Sequence, residues 1–119
     1  MYRNKTTLKE ALYPIVGQRI QDIRKEYNIS QQELADVLKL SRTSVSNIEN
    51  GRHPIFLHHI YTIAVKFSIP LEKILPSVFD VQNKRKAEEE DLKKIFIQKG
   101  ITDENTINSI LSVINKSNL

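Results

Sequence analysis

Residues 30–52 constrain the fold of this chain more than any other part of the sequence. They predict two short helices joined by a tight turn, because each helix follows a serine that can cap it. Ser30 can accept a hydrogen bond from the N–H of Glu33, whose side chain can reach back to the N–H of Ser30, as in a capping box. Ser41 can cap the second helix, and Gly51 is suited to end it in the left-handed region.

Apolar residues in both helices recur at the spacing of one helix face. Leu34, Val37 and Leu38 lie at i, i+3 and i+4 in the first helix. Val45 and Ile48 lie three residues apart in the second helix and point inward together. Small polar side chains remain on the outward face of the second helix. This pattern is typical of a helix pair whose second member can enter the major groove of DNA.

The same stretch resembles the helix-turn-helix of the Cro/cI repressor family, also called the XRE family. The family pattern is Gln-x-x-Leu-Ala, a turn, and then Ser-x-x-x-Val/Ile-Ser-x-Ile-Glu-x-Gly. The residues that fill it are Gln31, Leu34, Ala35, Ser41, Val45, Ser46, Ile48, Glu49, Asn50 and Gly51. The resemblance implies a domain of about five helices over roughly residues 15–75.

One turn position departs from the family pattern. Lys39 stands where the family usually has glycine. A positive φ at this position would cost a lysine roughly 1 kcal/mol. Either Lys39 adopts the left-handed conformation or the turn has a different shape. In both cases its charge would lie close to a DNA phosphate backbone.

The resemblance also implies which side chains would contact DNA. The expected base-reading residues are Arg42, Thr43 and Asn47, with Ser44 and Ser46 as secondary candidates. Arginine can bond bidentately to guanine, asparagine to adenine, and the threonine methyl can touch a thymine methyl. Arg42 has the alternative role of a phosphate contact. The expected phosphate contacts are Gln31, Arg52 and His53, with Lys39 and Arg19 as weaker candidates.

Arg24 and Glu49 are expected to form a structural ion pair. In the family, a glutamate at this position pairs with an arginine on the first helix, six residues before the cap of the second. Arg24 stands at that distance from Ser30. The pair would tie the second helix of the motif to the first helix of the domain and could orient Arg24 toward phosphate.

Charge and composition narrow the class of protein. The net charge is +4, and residues 1–79 hold 11 Lys and Arg against seven Asp and Glu, whereas residues 80–119 hold seven of each. Phosphate binding would require this distribution, although such a surplus is also ordinary for a soluble protein. The absence of cysteine excludes disulfides and thiolate metal sites and fits a reducing cytoplasm. No apolar run approaches the ~18 residues of a membrane span, and no signal peptide is recognisable.

Catalytic and metal-binding patterns have little support. The histidines are His53, His58 and His59, and the adjacent pair would point about 100° apart on a helix. The HExxH spacing is absent, as are Gly-x-Ser-x-Gly and Ser-x-x-Lys. The three glycines are isolated and cannot form a phosphate-binding loop. We therefore expect a cytoplasmic protein that is not an enzyme and needs no cofactor or metal.

The rest of the chain predicts an all-α fold, a five-helix lambda-repressor-like domain with a C-terminal two-helix extension. Pro14 is expected at the first position of helix 1, and further helices are expected at residues 57–67 and 71–75. The expected divisions are a lead-in at 1–13, the DNA-binding domain at 14–76, a connection at 77–86 and a helical hairpin at 87–119. Such a hairpin is expected to pack on its own domain or on another chain, since alone it could not bury both apolar stripes.

One such module contacts only about 3–4 base pairs, so a homodimer on a pseudo-palindromic site is expected. The first choice for dimerisation is the hairpin stripe of Ile107, Ile110, Leu111 and Ile114, and the second is the edge formed by residues 71–76 with Phe79. The leading hypothesis is a transcriptional regulator, a repressor that occupies an operator in double-stranded DNA. The alternatives are an antitoxin that binds DNA and a toxin, and a helix-turn-helix module for protein–protein interaction. An antirepressor protein is a further candidate partner.

Overall fold

A computed structural model describes residues 6–101 and 103–117, and every regular element in that part of the chain is helical. The elements are α1 (Leu8–Glu26), α2 (Gln31–Leu38), α3 (Arg42–Glu49), α4 (Leu57–Phe67), the 3-10 helix η1 (Leu71–Lys73), α5 (Val78–Gln98) and α6 (Glu104–Ser117). The expected all-α fold is confirmed. The chain divides into two compact units, Leu12–Ser77 and the combination of Met1–Ala11 with Val78–Leu119.

The apolar faces of α1 to α4 and the turn after η1 meet in the core of the Leu12–Ser77 unit. Its largest fully buried side chains are Val16, Ile20, Leu34, Val45, Ile63 and Ile74. Burying each aliphatic side chain contributes about 1.5–3 kcal/mol. This packing is required because α2 and α3 have eight residues each, too few for a stable isolated helix.

The turn chemistry of the helix pair confirms the predicted caps. The Ser30 hydroxyl accepts from the N–H of Glu33 at 3.0 Å, and the Ser30 N–H donates to Glu33 Oε1 at 3.2 Å. Ser41 Oγ accepts from the N–H of Ser44 at 3.1 Å. Lys39 adopts the left-handed conformation, with φ +56° and ψ +42°. The first of the two alternatives for this turn is therefore observed: Lys39 is left-handed, and the turn does not take a different shape.

Helix α1 starts earlier than the sequence suggested. It begins at Leu8, where Thr7 Oγ1 accepts from the N–H of Glu10 at 3.1 Å, and Pro14 lies inside the helix. The expected N-terminal position of Pro14 is wrong because that rule weighs only the missing N–H of proline. The packing of the residues before Pro14 outweighs the lost hydrogen bond. Ala11 is fully buried, and Leu12 packs on the core of its unit. The helix expected at 71–75 is the shorter η1.

The expected connection at 77–86 is also wrong, because α5 is helical from Val78 onward. No glycine or proline follows Pro76 in this segment, so nothing local breaks a helix there. Arg85 is only 9% exposed, and its Nε donates to the carbonyl of Thr6 at 3.1 Å. The lead-in is therefore fixed against α5 at this point.

The C-terminal hairpin has a core of its own. Leu92 and Phe96 of α5 pack with Ile107 and Leu111 of α6, and all four are at most 6% exposed. Ile110 is half-buried at the edge of this cluster, while the side chain of Ile114 lies outside the described residues. The expectation that Ile107 and Leu111 face a partner is therefore corrected: the two helices bury these side chains against each other within one chain.

Candidate nucleic-acid interface

Helix α3 separates an inward apolar face from an outward polar face. Val45 and Ile48 are 1% and 6% exposed, which fixes the helix in the core. Arg42 and Thr43 are exposed at its first turn. Among the other expected base-reading residues, Ser44, Ser46 and Asn47 are half-buried. All five expected base-reading residues thus lie on one short helix, and the side chains of Arg42 and Thr43 are the most exposed of them.

The hydroxyl of Ser44 has a partner within the protein. Ser41 Oγ donates to Ser44 Oγ at 2.9 Å and accepts from the N–H of Ser44. This pair closes the first turn of α3. Ser44 is therefore part of the cap, a role that the outward-face pattern did not suggest.

The loop after α3 folds back on the end of the helix. The N–H groups of Arg52 and His53 donate to the carbonyl of Asn47 at 2.9 and 3.3 Å, and both side chains are exposed. Gly51 has φ +73°, as its expected place at the end of the helix requires. The backbone of Arg52 and His53 is thereby held close to Asn47 near the end of α3.

Glu49 is the buried acceptor of a polar cluster that joins α3 to α1 and α2. Arg24 contacts its carboxylate with two nitrogens, Nε to Oε2 at 2.7 Å and Nη2 to Oε1 at 3.0 Å. Gln31 and Gln21 donate to Oε1 at 3.1 and 3.4 Å. The Glu49 side chain is 0% exposed and that of Arg24 is 11% exposed. The third nitrogen of Arg24, Nη1, donates to the carbonyl of Ile29 at 3.0 Å.

Electrostatics explains why the buried Glu49 carboxylate needs Arg24 as its partner. Glu49 is the last residue of α3, where the helix dipole disfavours a carboxylate. Arg24 offsets both that dipole and the loss of hydration, and its hydrogen bond to Glu49 raises the pKa of the guanidinium above its ordinary value. The position of α3 therefore depends on a satisfied buried charge as well as on apolar packing.

Gln31 and Gln21 show what sequence reasoning missed. Gln31 was expected to contact phosphate, and the structure uses one of its amide N–H groups to orient Glu49. Gln21 was not singled out, although it lies three residues before Arg24 on the same face of α1. That spacing was the signal that could have placed it in the cluster.

The weaker phosphate candidates lie in different surroundings. Lys39 is exposed in the turn between α2 and α3. Arg19 donates from Nη1 to the carbonyl of Glu72 at 3.1 Å, so it links α1 to η1. Arg19 therefore has a structural contact that the family pattern did not suggest.

A cavity of about 140 Å³ adjoins α3 and the loop after it, lined by residues that include Leu40, Ser44, Ile48, His53, Phe56 and His59. His59 is 7% exposed, and its Nδ1 has no hydrogen-bond partner within the described ranges. Burial, and to a smaller extent the nearby His58, lower the pKa of His59. We interpret His59 as a neutral, packed side chain.

Two further observations concern other classes of site. In residues 6–101 and 103–117, no helix combines the length and apolarity needed to cross a membrane. Within the same ranges, no group of three His, Asp or Glu side chains is placed to hold a metal ion.

Comparisons with known proteins agree with this geometry. The helix-turn-helix family model matches residues 20–74. The ImmF control region 10 kDa protein of Bacillus phage phi105 is 39% identical over 56 residues, which are 47% of this chain and 62% of that protein. Antitoxin PezA of Streptococcus pneumoniae serotype 4 is 33% identical over 55 residues, which are 46% of this chain and 35% of that protein. The matches thus span less than two thirds of either relative.

A solved structure extends the comparison to three dimensions. The hypothetical transcription factor NHTF from Neisseria superposes with a TM-score of 0.51 at 25% identity, over 63% of this chain and 86% of that one. The matched residues 20–74 contain α2, α3, α4 and η1 together with the buried Glu49 cluster. Residues 20–74, which make up less than half of the chain, are therefore similar to the helix-turn-helix family.

Proposed function

We propose that this chain is a sequence-specific regulator of transcription that binds double-stranded DNA, with α3 as the element that reads the bases. The observation that carries the proposal is the division of α3 into two faces. Val45 and Ile48 anchor it in the core, while Arg42 and Thr43 are open to solvent. A helix held in this way can enter the major groove without unfolding or rearranging.

The proposed mechanism separates positioning from reading. Lys39 precedes α3 in the chain and Arg52 follows it, and both side chains are exposed. They would contact phosphates, which would fix the register of the protein on the duplex. Arg42, Thr43 and Asn47 would then contact base edges, where one good bidentate pair discriminates by about 1–3 kcal/mol. The Arg24–Glu49 pair would hold α3 at the required angle.

We propose further that the protein is a repressor acting as a homodimer on a pseudo-palindromic operator in the cytoplasm, without catalytic activity. Repression would follow from occupancy, because a bound operator excludes polymerase. The likeness to a protein described as belonging to a phage control region supports a regulatory role. A homodimer is supported by the small number of base pairs, about 3–4, that one module can read.

The antitoxin alternative has weaker support. The match to an antitoxin covers only 35% of that protein. It therefore gives no reason to assign toxin binding to this chain. A module that binds only other proteins would show no affinity for duplex DNA, so the experiment that follows separates it from a regulator.

We expect the chain to bind a random-sequence duplex in a strongly salt-dependent way. If Lys39 and Arg52 of both copies in the proposed homodimer contact phosphates, affinity should fall about 100-fold between 50 and 200 mM salt, because bound counterions are released. Fluorescence anisotropy of a labelled duplex at both salt concentrations measures this. Binding that does not change with salt, or no binding at all, would contradict the proposal.

We expect Lys39→Ala to reduce the slope of log affinity against log salt by about 1 and to weaken binding equally on all sequences. The physical reason is the loss of one phosphate contact from the turn between α2 and α3. Lys94→Ala is the matched control, since Lys94 is also exposed but lies on α5. An equal loss of DNA affinity in both variants would mean that binding depends only on the net charge of the protein, which would contradict a phosphate contact at Lys39.

A further inference from the structure

Helix α4 carries an apolar stripe that its own unit leaves uncovered. Leu57, Tyr61 and Val65 lie at i, i+4 and i+8, so they share one face of the helix, and they are 64%, 51% and 78% exposed. Phe56, immediately before the helix, is 70% exposed. Single exposed apolar side chains are ordinary, but a contiguous row of four is typical of an interaction surface.

Two shallow grooves show that these side chains form one surface. The first groove is lined by Phe56, Leu57, His58 and Tyr61. The second is lined by Val37, Tyr61, Thr62, Val65 and Lys66. Tyr61 borders both grooves, so the apolar surface runs without interruption from the start of α4 to Val37 of α2. Neither lining includes a carboxylate, and Lys66 stands at one end.

We infer that this α4 stripe, consisting of Phe56, Leu57, Tyr61 and Val65, is the surface through which a second copy of the chain binds. The inference rests on the proposed function, because a reader of a pseudo-palindrome needs two copies. In the hairpin stripe first expected for dimerisation, Ile107 and Leu111 are buried within the chain, so less apolar surface is open to a second copy there.

The exposed apolar area of the α4 stripe is large enough for a second copy of the chain to bind there. The four side chains leave on the order of 400–500 Å² of apolar surface open to water. Two copies that meet face to face would bury about 800–1,000 Å² in total, which is close to the lower limit of a specific interface. A two-fold contact places the same patch on both sides, so the patch must complement itself. An apolar stripe without a charge at its centre meets that condition.

The stripe also adjoins the element proposed to bind DNA. Phe56 lines the cavity beside α3 together with Ser44 and Ile48. A second copy bound at the stripe would therefore lie next to the proposed reading helix. This proximity favours another DNA-binding copy over an unrelated protein as the occupant.

The test is the oligomeric state of the full chain and of two matched variants. Val65→Asp places a carboxylate in the stripe, and Val113→Asp places the same group on α6, where the valine is 69% exposed. Sedimentation equilibrium should show a dimer for the parent chain and for Val113→Asp. Val65→Asp should raise the dimer dissociation constant about 100-fold or more, because each copy would bury an unpaired charge.

Folding of both variants is checked by circular dichroism, and we expect no loss because both valines are largely exposed. A monomeric parent chain, dimers in both variants, or dissociation only in Val113→Asp would each overturn the inference. Binding to a random-sequence duplex is measured in parallel. A parent chain that dimerises through the stripe but binds no duplex would support this interface and contradict the proposed function.

Discussion

Replacing Glu49 with alanine is expected to lower the free energy of unfolding by about 3–5 kcal/mol, the cost of breaking a buried ion pair from one side. The change leaves the largely buried guanidinium of Arg24 without its carboxylate, and Gln21 and Gln31 lose their acceptor. Thermal unfolding followed by circular dichroism measures the effect. At roughly 4–8 °C per kcal/mol for a domain of this size, Tm should fall by more than about 10 °C.

Two controls separate the buried pair from the loss of any carboxylate. Glu72→Ala removes an exposed glutamate from η1 and should change stability by no more than about 0.5 kcal/mol. The double variant Arg24→Ala with Glu49→Ala should lose less than the sum of the two single variants, because each single change leaves its partner unpaired. Equal Tm values for Glu49→Ala and the parent chain would show that the pair does not stabilise the unit.

Gly17→Ala is expected to destabilise the protein by about 3 kcal/mol, at the upper end of overpacking effects. A methyl group at Gly17 would collide with the carbonyl oxygen of Ile48 and lie 2.8 Å from that of Glu49. These atoms are backbone, so α1 and α3 would have to separate. Without this contact the change would stabilise α1 by up to about 1 kcal/mol, since alanine is the better helix former.

The sign of the Gly17→Ala effect is therefore informative, and urea titration of the parent chain and the variant measures it. Gly100→Ala is the control, because nothing lies within 4 Å of the methyl group it would add. Its φ of +90° gives a backbone cost of about 1 kcal/mol. A stability of Gly17→Ala equal to or above that of the parent would mean that α1 and α3 are not in close backbone contact.

Local signals were sufficient to predict the helices around the motif. Caps, apolar spacing and prolines placed α2 at Gln31–Leu38 and α4 at Leu57–Phe67, as observed, and α3 ends one residue earlier than expected. Each of these signals acts within one or two helical turns. The Arg24–Glu49 pair was accessible only because the family resemblance relates two positions that are distant in sequence.

Features that depend on packing between distant segments were not accessible in this way. Pro14 marks a helix start by local preference, whereas the packing of its neighbours extends α1 back to Leu8. The burial of Ile107 and Leu111 follows from the packing of α6 on α5, which spacing within one helix does not determine. The close approach at Gly17 is invisible in sequence, since glycine has several possible roles.

The central claim is that the outward face of α3 reads bases, and selection from a random-sequence duplex library tests it most directly. The parent chain is compared with Thr43→Ala/Asn47→Ala and with the control Asn83→Ala, which changes an exposed asparagine on α5. The parent and the control should enrich one motif, with two half-sites about 10 base pairs apart. The double variant should fold, bind random duplex and enrich no such motif. Enrichment of the parent motif by the double variant would contradict the claim.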